Sequence, residues 1–336
     1  MKKDSYKRIL IGLMILLAAA ALAAACLGRY SFDPRETMAV IAYKLGLSDT
    51  VNEKMVTILK VIRLPRVFGA MLIGAMLSVS GAIYQINFQN PLVSPDILGV
   101  SSGAALGAAL AIILGLNMLY RQLFAFIFGL FTVLLSASIP KLLRNSGNMM
   151  LVLSGMIVGG FANSLVSILK FIAEEGSDLA SIVYWQMGSI SALKGHELLS
   201  VLPIALCCIT AMLLLSWRLN IVSFGEVEAK TLGVNIKALR TGIILCASLL
   251  TASAVSISGT IGWIGLVIPH LGRLLVGPDN TRCLPVTAIL GALFMLFIDT
   301  LARTLFTLEI PLSILTGIIG APCFAILLWR QKTMVQ

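Results

Sequence analysis

Long apolar runs recur along the whole chain, with short polar segments between them. Each run approaches the ~20 residues that a helix needs to cross a hydrocarbon layer of ~30 Å. The runs lie at 9–28, 64–84, 96–115, 120–140, 149–170, 198–217, 240–258, 260–276, 284–304 and 310–329. Because lipid offers no hydrogen-bond partner to an exposed backbone, we expect helices rather than open strands. The pattern predicts an all-α integral membrane protein with ten transmembrane helices in a single domain, 1–336.

The composition is typical of a protein embedded in lipid, and the distribution of basic residues indicates what the net charge means. The chain is 58% hydrophobic and 12% charged, and its mean hydropathy is +0.98, far from the balance of a soluble domain. The formal net charge of +10 is spread over several loops rather than gathered on one face. A nucleic-acid partner is therefore not expected. The expected surroundings are membrane lipid.

The basic residues of the short loops predict which side of the membrane each loop faces. They fall before the first run, after the fourth, between the sixth and seventh, and after the eighth: Lys2, Lys3, Lys7, Arg8, Lys141, Arg144, Arg218, Lys230, Lys237, Arg240 and Arg282. These loops share one side if the N-terminal segment, 1–8, is cytoplasmic. The acidic segment 171–197 then lies outside. The prediction is a multi-pass protein of the cell (inner, cytoplasmic) membrane with both termini in the cytoplasm.

Two similar segments suggest an internal repeat. SVSGAIYQINFQNP at 78–91 and SISGTIGWIGLVIP at 256–269 share S-x-S-G-x-I, with a proline ten residues after the glycine. In the predicted topology the first copy ends an inward-running helix and the second ends an outward-running one, so the repeat is inverted. Inverted repeats with interrupted helices are a frequent architecture of transporters.

The energy source for transport is not apparent within the chain. Its sequence contains no G-x-x-x-x-G-K-[ST] phosphate-binding loop. Gradient-driven carriers usually hold carboxylates or histidines at membrane depth, and only Asp299 and His270 qualify here. Asp299 has Arg303 four residues on, which neutralises it in a helix. We therefore expect a partner to bind and hydrolyse ATP, with no enzyme activity and no cofactor in this chain. A stand-alone secondary transporter is the alternative class.

The segment at about 218–240 is the longest predicted cytoplasmic loop. Residues 226–232 read as a short polar helix, and Gly233 as its C-terminal stop. The E-A-x-x-x-G pattern at Glu228, Ala229 and Gly233 resembles the coupling helix of an ABC importer permease.

Four segments together resemble the FecCD-type permease family. They are RLPRVFGAMLIGAMLSVSGAIYQINFQNPLVSPDILGVSSGAALG (63–107), the GEVEAKTLGV loop, GTIGWIGLVIPHLGRLLVG (259–277) and IPLSILTGIIGAPCFAILL (310–328). The resemblance implies a bundle like that of cobalamin and siderophore importers. It also implies three kinds of partner: two cytoplasmic ATPase subunits, a second permease chain in a homo- or heterodimer, and an extracytoplasmic substrate-binding protein.

The resemblance also assigns roles to particular residues. Three groups result: binding-protein docking by Arg63, Arg66 and Arg303; ATPase coupling by Glu226, Glu228, Ala229, Leu232 and Gly233; helix breaks or gating by Pro91, Pro269, His270 and Arg273. Each role has a plainer alternative. The arginines could make ordinary loop or headgroup contacts, His270 could bond a backbone carbonyl, and Arg273 could bind an anionic headgroup.

The substrate class follows from the same family and from the ligand types present. The chain has two histidines and no residue cluster with metal-ligand spacing. We therefore expect no metal site, and expect a metal to pass already chelated. Ferric siderophore is the first expectation, and cobalamin or haem is the alternative.

The predicted topology can be tested by cysteine labelling. In a background without the native cysteines, Gly176→Cys should react with a membrane-impermeant thiol reagent added outside intact cells. Thr281→Cys should react only after the membrane has been opened. Labelling of both positions from the same side would rule out the ten-helix topology.

Overall fold

The computed structural model describes residues 3–28, 56–144, 147–224 and 236–335. These residues are mainly helical, and none of them lies in a β-strand. The helices, labelled α1 to α12, are Lys3–Cys26, Leu64–Phe88, Val100–Ile113, Met118–Leu142, Asn148–Ile172, Asp178–Met187, Gly195–Leu214, Ser216–Phe224, Ile236–Ser258, Ile264–Val276, Asn280–Thr304 and Leu312–Val335. A π-helical turn, Ile58–Arg63, leads into α2, and a 3₁₀ turn, Pro95–Leu98, precedes α3.

The apolar helices fall into two length classes. Eight helices in the described part of the chain are long and apolar enough to cross a membrane. α3 has 14 residues and α10 has 13, or about 20 Å each at 1.5 Å per residue, less than a hydrocarbon layer. Each predicted run coincides with one helix, so the all-helical membrane fold is confirmed. The count of ten complete crossings stays a prediction. The sequence pattern does not predict α6 and α8, which are too short for it.

Contacts at the helix ends define two faces of the bundle. The first turns of α1 pack against the start of α11, where the Tyr6 ring lies 5.9 Å from the Arg282 guanidinium carbon. We call this side the inner face. The last turn of α1 contacts Arg63 before α2 and Arg303 at the end of α11, on the side that we call the outer face. α12 begins just after Glu309, which bonds the first turn of α2, so it runs back from the outer face towards the inner face.

α2 forms the centre of the bundle. Nearly all of its residues from Ile73 to its C-terminus are buried, and it packs against α7, α9, α10 and α11. Two glycines set the closest approaches. A Cβ added at Gly74 would lie 2.2 Å from the carbonyl oxygen of Gly291 in α11, and one at Gly81 would lie 2.0 Å from that of Gly265 in α10. Small residues let membrane helices come this close, and dispersion contacts then hold them together.

Side-chain hydroxyls bond α2 to α9 in the same buried region. The Ser80 and Thr251 hydroxyl oxygens lie 2.7 Å apart, and those of Tyr84 and Ser248 are also 2.7 Å apart. All four residues are at most 1% exposed. Inside a membrane such groups need partners within the protein, so these bonds fix the register of the two helices.

The two S-x-S-G segments do not adopt the same backbone. Gly81 lies inside α2, which continues to Phe88. Gly259 follows the end of α9 and has a φ of +69°, a left-handed conformation that favours glycine. The element order does repeat: α2 to α5 and α9 to α12 both run long, short, long, long. The first set begins with an inward-running helix, α2, and the second with an outward-running helix, α9. The two sets are therefore inverted copies in the order of their helices, although the two S-x-S-G segments do not correspond residue by residue.

The tight approach at Gly81 makes a specific prediction for stability. Gly81→Ala should lower the melting temperature of the detergent-solubilised protein, because the added methyl overlaps backbone in α10; overpacking of this kind costs about 1–3 kcal/mol. Gly242→Ala in α9 is the matched control, since nothing lies within 4 Å of its added Cβ. There, better helix propensity should leave the melting temperature unchanged or slightly higher. Equal melting temperatures for the two variants would contradict the packing at Gly81.

Candidate functional site

Arg66, in the first turn of α2, connects two carboxylates at the outer face. Its Nε donates to Asp299 Oδ1 at 2.8 Å, and its two terminal nitrogens donate to the two Glu309 oxygens at 2.9 and 3.0 Å. The side chain of Asp299 is fully buried and that of Glu309 is 31% exposed. Two parallel bonds of this kind form the strong planar arginine–carboxylate pair. Arg66 therefore ties α2 to α11 and to the α11–α12 connection.

Arg63 and Arg303 close the C-terminal turn of α1. Arg63 donates to the carbonyl oxygens of Ala25 and Cys26 at 2.6 and 2.9 Å, and Arg303 donates to that of Ala24. The last four carbonyls of any helix have no partner within the helix. Cationic side chains there satisfy them and also favour the negative end of the helix dipole. The two arginines thus cap α1 at the outer face.

Asp299 pairs more closely with Arg66 than with Arg303, its neighbour on the same helix. Arg303 Nε lies 3.6 Å from Asp299 Oδ2, which is an ion pair and not a hydrogen bond. The sequence predicted only this pair. It missed the bond to Arg66, which lies 233 positions away along the chain, and it missed Glu309, which belongs to no motif. We call Arg63, Arg66, Asp299, Arg303 and Glu309 the outer ion cluster; it holds three cations and two carboxylates.

The docking arginines are buried within the single chain. Arg63, Arg66 and Arg303 are only 4–6% exposed, and each bonds groups of this chain. Their predicted contact with a binding protein stays a prediction. What the structure assigns to them directly is the joining of α1, α2 and α11.

The helix break near the second repeat lies between α9 and α10, at Gly259 to Trp263. Both of these residues have positive φ, +69° and +70°. The end of α6 packs against the break, since a Cβ on Gly259 would lie 2.2 Å from the Trp185 carbonyl oxygen. The sequence predicts a helix irregularity at Pro269 and His270; both lie inside helix α10, and their gating role stays a prediction.

A glutamine from α2 explains how α10 continues through Pro269. Proline has no N–H, so the carbonyl of Gly265, four residues earlier, loses its helical partner. Gln85 Nε2 lies 3.4 Å from that oxygen, and Gln85 Oε1 accepts a hydrogen bond from Arg273. The described partner of Arg273 is thus the Gln85 side chain of α2. Gln85 therefore joins α2 to α10 on both sides of Pro269, at Gly265 and at Arg273.

His270 and Pro91 have different surroundings. His270 is 2% exposed, and within the described residues neither ring nitrogen has a hydrogen-bond partner. The described residues therefore do not include the carbonyl partner that the alternative interpretation of His270 requires. Its ring packs edge-on against Phe324, with the centroids 6.3 Å apart. Pro91 lies in the turn that follows α2, after the helix has ended at a left-handed Gln89. A gating role for either residue stays a prediction.

The residues predicted to contact the ATPase, Glu226, Glu228, Ala229, Leu232 and Gly233, lie outside the described residues. The helix leading towards them, α8, is described and is bonded to two others. Asn220 donates to Asp279 Oδ1 and accepts from the Asn280 N–H, both at 2.8 Å. Gln89 donates to the Val222 carbonyl at 3.1 Å. Burial tends to raise the pKa of Asp279, but bonds from Asn220 and the first turn of α11 leave that pKa below its usual value. Position 220 carried no sequence signal.

α5 exposes polar groups on one side although it is long enough to span the membrane. Gly160, Asn163, Ser164 and Ser167 are exposed, and we call them the α5 polar strip. The Ser164 and Ser167 hydroxyls each bond a carbonyl one turn earlier, at 3.0 Å. The buried side of the helix holds Ser154, Gly155, Gly159, Ala162 and Val166. The strip thus leaves an amide on a surface where lipid would offer it no partner.

Comparison with known proteins finds one family over nearly the whole length. Residues 14–330 match the FecCD transport family. The molybdate import system permease protein MolB of Haemophilus influenzae is 41% identical over 332 residues, covering 99% of this chain and 98% of the relative. A probable iron chelatin transport system permease of Helicobacter pylori is 40% identical over 273 residues, covering 81% and 82%. The hemin transport system permease HmuU of Yersinia pestis is 35% identical, covering 97% and 96%.

A solved structure agrees with this fold. A metal-chelate type ABC transporter in an inward-facing conformation superposes with a TM-score of 0.87 at 40% identity, covering 96% of this chain and 99% of the other. The family match, the similar sequences and the similar structure all cover nearly the whole of this chain. The chain belongs to the FecCD transport family and is a permease component, not an enzyme.

Proposed function

We propose that this ABC importer permease takes up a chelated metal, with ferric siderophore as the substrate class. Relatives named as iron chelatin and hemin permeases support a chelate, as does the metal-chelate type transporter of the same fold. The cell membrane is the proposed location, with both termini in the cytoplasm. The partners are a second permease chain, two ATPase subunits and one extracytoplasmic binding protein.

The α5 polar strip is the observation that best supports a transport pathway along this helix. An amide facing hydrocarbon is costly, so polar groups at membrane depth usually face protein or a water-filled path. A second permease chain placed against the strip would enclose Asn163 and the two serines between the subunits. The chelate would then move along this polar surface.

ATP-driven motion would enter through 226–233 and pass along α8. The bonds of Asn220 to Asp279 and Asn280, and of Gln89 to Val222, connect α8 to the inner ends of α11 and α2. A displacement of α8 would therefore act on two central helices. Opening would alternate between the two sides as the ATPases close and separate.

Molybdate is a second candidate substrate. The molybdate permease of Haemophilus influenzae is 41% identical over almost the full length of both chains. Importers of a compact oxyanion and of a bulky chelate would share the same fold and the same coupling to the ATPases. They would differ only in the transport pathway and in the binding protein.

Uptake by the assembled transporter decides between these functions. In proteoliposomes that hold the permease, its ATPase and its binding protein, we expect ATP-dependent accumulation of a radioactive ferric siderophore. Radioactive molybdate should not accumulate, and unlabelled molybdate should not compete. Accumulation of molybdate instead would replace the proposed substrate, and uptake by the permease alone under an ion gradient would favour a secondary transporter. Gly233→Pro should abolish uptake at equal membrane abundance, while Gly176→Pro, outside the coupling loop, should retain it.

We also propose that the outer ion cluster receives the binding protein. The cluster has one more cation than carboxylate and lies at the outer end of three helices. Charge pairs across such an interface guide docking more than they add affinity. Reversing an arginine would confound this test, because Arg66→Glu would place a third carboxylate beside Asp299 and Glu309.

Glu309→Gln gives a cleaner test of docking. It removes one partly exposed negative charge while Arg66 keeps its bond to Asp299, so the cluster becomes more positive. We expect association of the binding protein with nanodisc complexes to become several-fold faster at low salt, with the difference shrinking at high salt because charges are screened over ~8 Å at physiological ionic strength. Glu175→Gln, an exposed change on the predicted outer side, is the matched control and should leave the rate unchanged. Equal rates for wild type and Glu309→Gln would remove the docking role.

A further inference from the structure

A cavity of about 510 Å³ opens between the inner halves of α4 and α9. Leu130, Val133 and Leu134 of α4 and Leu245 of α9 supply much of its apolar wall. Leu134 is 64% exposed and Leu245 is 51% exposed. The cavity is therefore a groove whose flanks continue onto the lipid-facing surface of the bundle.

Two cations stand at the inner end of this groove. Lys141, in the last turn of α4, and Arg240, in the first turns of α9, both line it. The remainder of the wall is largely apolar, so positive charge is confined to the end nearest the inner face. Basic pockets between membrane helices on the cytoplasmic side are suited to anionic lipid headgroups.

A buried amide lines the same groove. Asn87, near the end of α2, is 1% exposed, and within the described residues neither amide atom of its side chain has a hydrogen-bond partner. Its backbone carbonyl accepts a bond from Asn148 at the start of α5, at 3.2 Å. An unpaired buried amide is costly. A ligand with ester or phosphate oxygens would offer the acceptors that Asn87 Nδ2 lacks.

We propose that this groove binds an anionic phospholipid. The phosphate lies against Lys141 and Arg240, a headgroup or ester oxygen accepts from Asn87, and one acyl chain lies along Leu134 and Leu245. The lipid would fill the space between α4 and α9 and brace the inner ends of α2, α4, α5 and α9. Binding does not depend on the transported substrate.

The groove is separate from the α5 polar strip. α5 contributes Asn148 and Leu151 to the groove. Asn148 and Leu151 precede Asn163, Ser164 and Ser167 along α5 by about 18–29 Å, at 1.5 Å per residue. A molecule in the groove would therefore lie near the inner end of α5, away from the polar strip.

Lipid titration followed by native mass spectrometry tests the proposal on the full-length permease. Dioleoyl phosphatidylglycerol should be retained and should raise the melting temperature. Dioleoyl phosphatidylcholine should do neither at the same concentration, because it has no net negative charge. Glycerol phosphate should also have no effect, because it lacks the acyl chains that fill the groove.

Variants localise the lipid. Lys141→Gln with Arg240→Gln should weaken phosphatidylglycerol binding by about tenfold or more, as expected for the loss of two cations near an anionic lipid. Lys7→Gln with Arg8→Gln removes equal charge from exposed positions outside the groove and should change binding less than twofold. Ala137→Phe fills the groove with both cations intact and should also prevent retention. It remains informative if the double variant fails to fold.

Three results would overturn the proposal. One is equal retention of the two phospholipids. Another is unchanged phosphatidylglycerol binding in both groove variants. The third is stabilisation by glycerol phosphate alone, which would assign the cations to a soluble phosphate.

Discussion

Polar groups that this chain carries into the membrane gain stability from hydrogen-bond partners within the protein, because hydrocarbon offers none. α2 supplies such partners for much of the bundle. Ser80 and Tyr84 bond α9, while Gln85 bonds a carbonyl of α10 and the Arg273 side chain. These bonds require the backbones to lie close together, which the glycines of α2 allow. At the centre of this fold, close helix packing and the hydrogen bonding of buried polar side chains therefore depend on each other.

Two sets of contacts at opposite faces tie the same helices together. At the outer face, Arg66 joins α2 to α11 through Asp299, and two further arginines cap α1. At the inner face, Asn220 and Gln89 attach α8 to α11 and α2. α2 and α11 thus meet the predicted binding-protein side at one end and the predicted ATPase side at the other. They are the elements best placed to transmit motion through the permease.

The length of the apolar runs was sufficient to predict the ten long or apolar helices, but not the short helices α6 and α8 or the contacts between helices. Length and apolar content predict each spanning segment, because a helix is a local structure and lipid fixes its length. The pair between Arg66 and Asp299 spans 233 positions, and no local pattern encodes it. Likewise, Pro269 signals a disturbed helix, yet the chain breaks instead at Gly259 to Trp263. Gln85 of another helix supplies the missing donor, and one sequence without tertiary contacts cannot reveal that.

The burial of Asp299 has an evolutionary consequence. Its side chain is inaccessible to solvent and lies against Arg66 and Arg303. Loss of Arg66 would leave the buried Asp299 carboxylate with the longer, 3.6 Å ion pair to Arg303, whereas replacing both members of a buried pair with apolar residues is often tolerated. Positions 66 and 299 should therefore covary across homologues: a homologue that loses the arginine should also lose the aspartate, and the intermediate with only one of them should be rare.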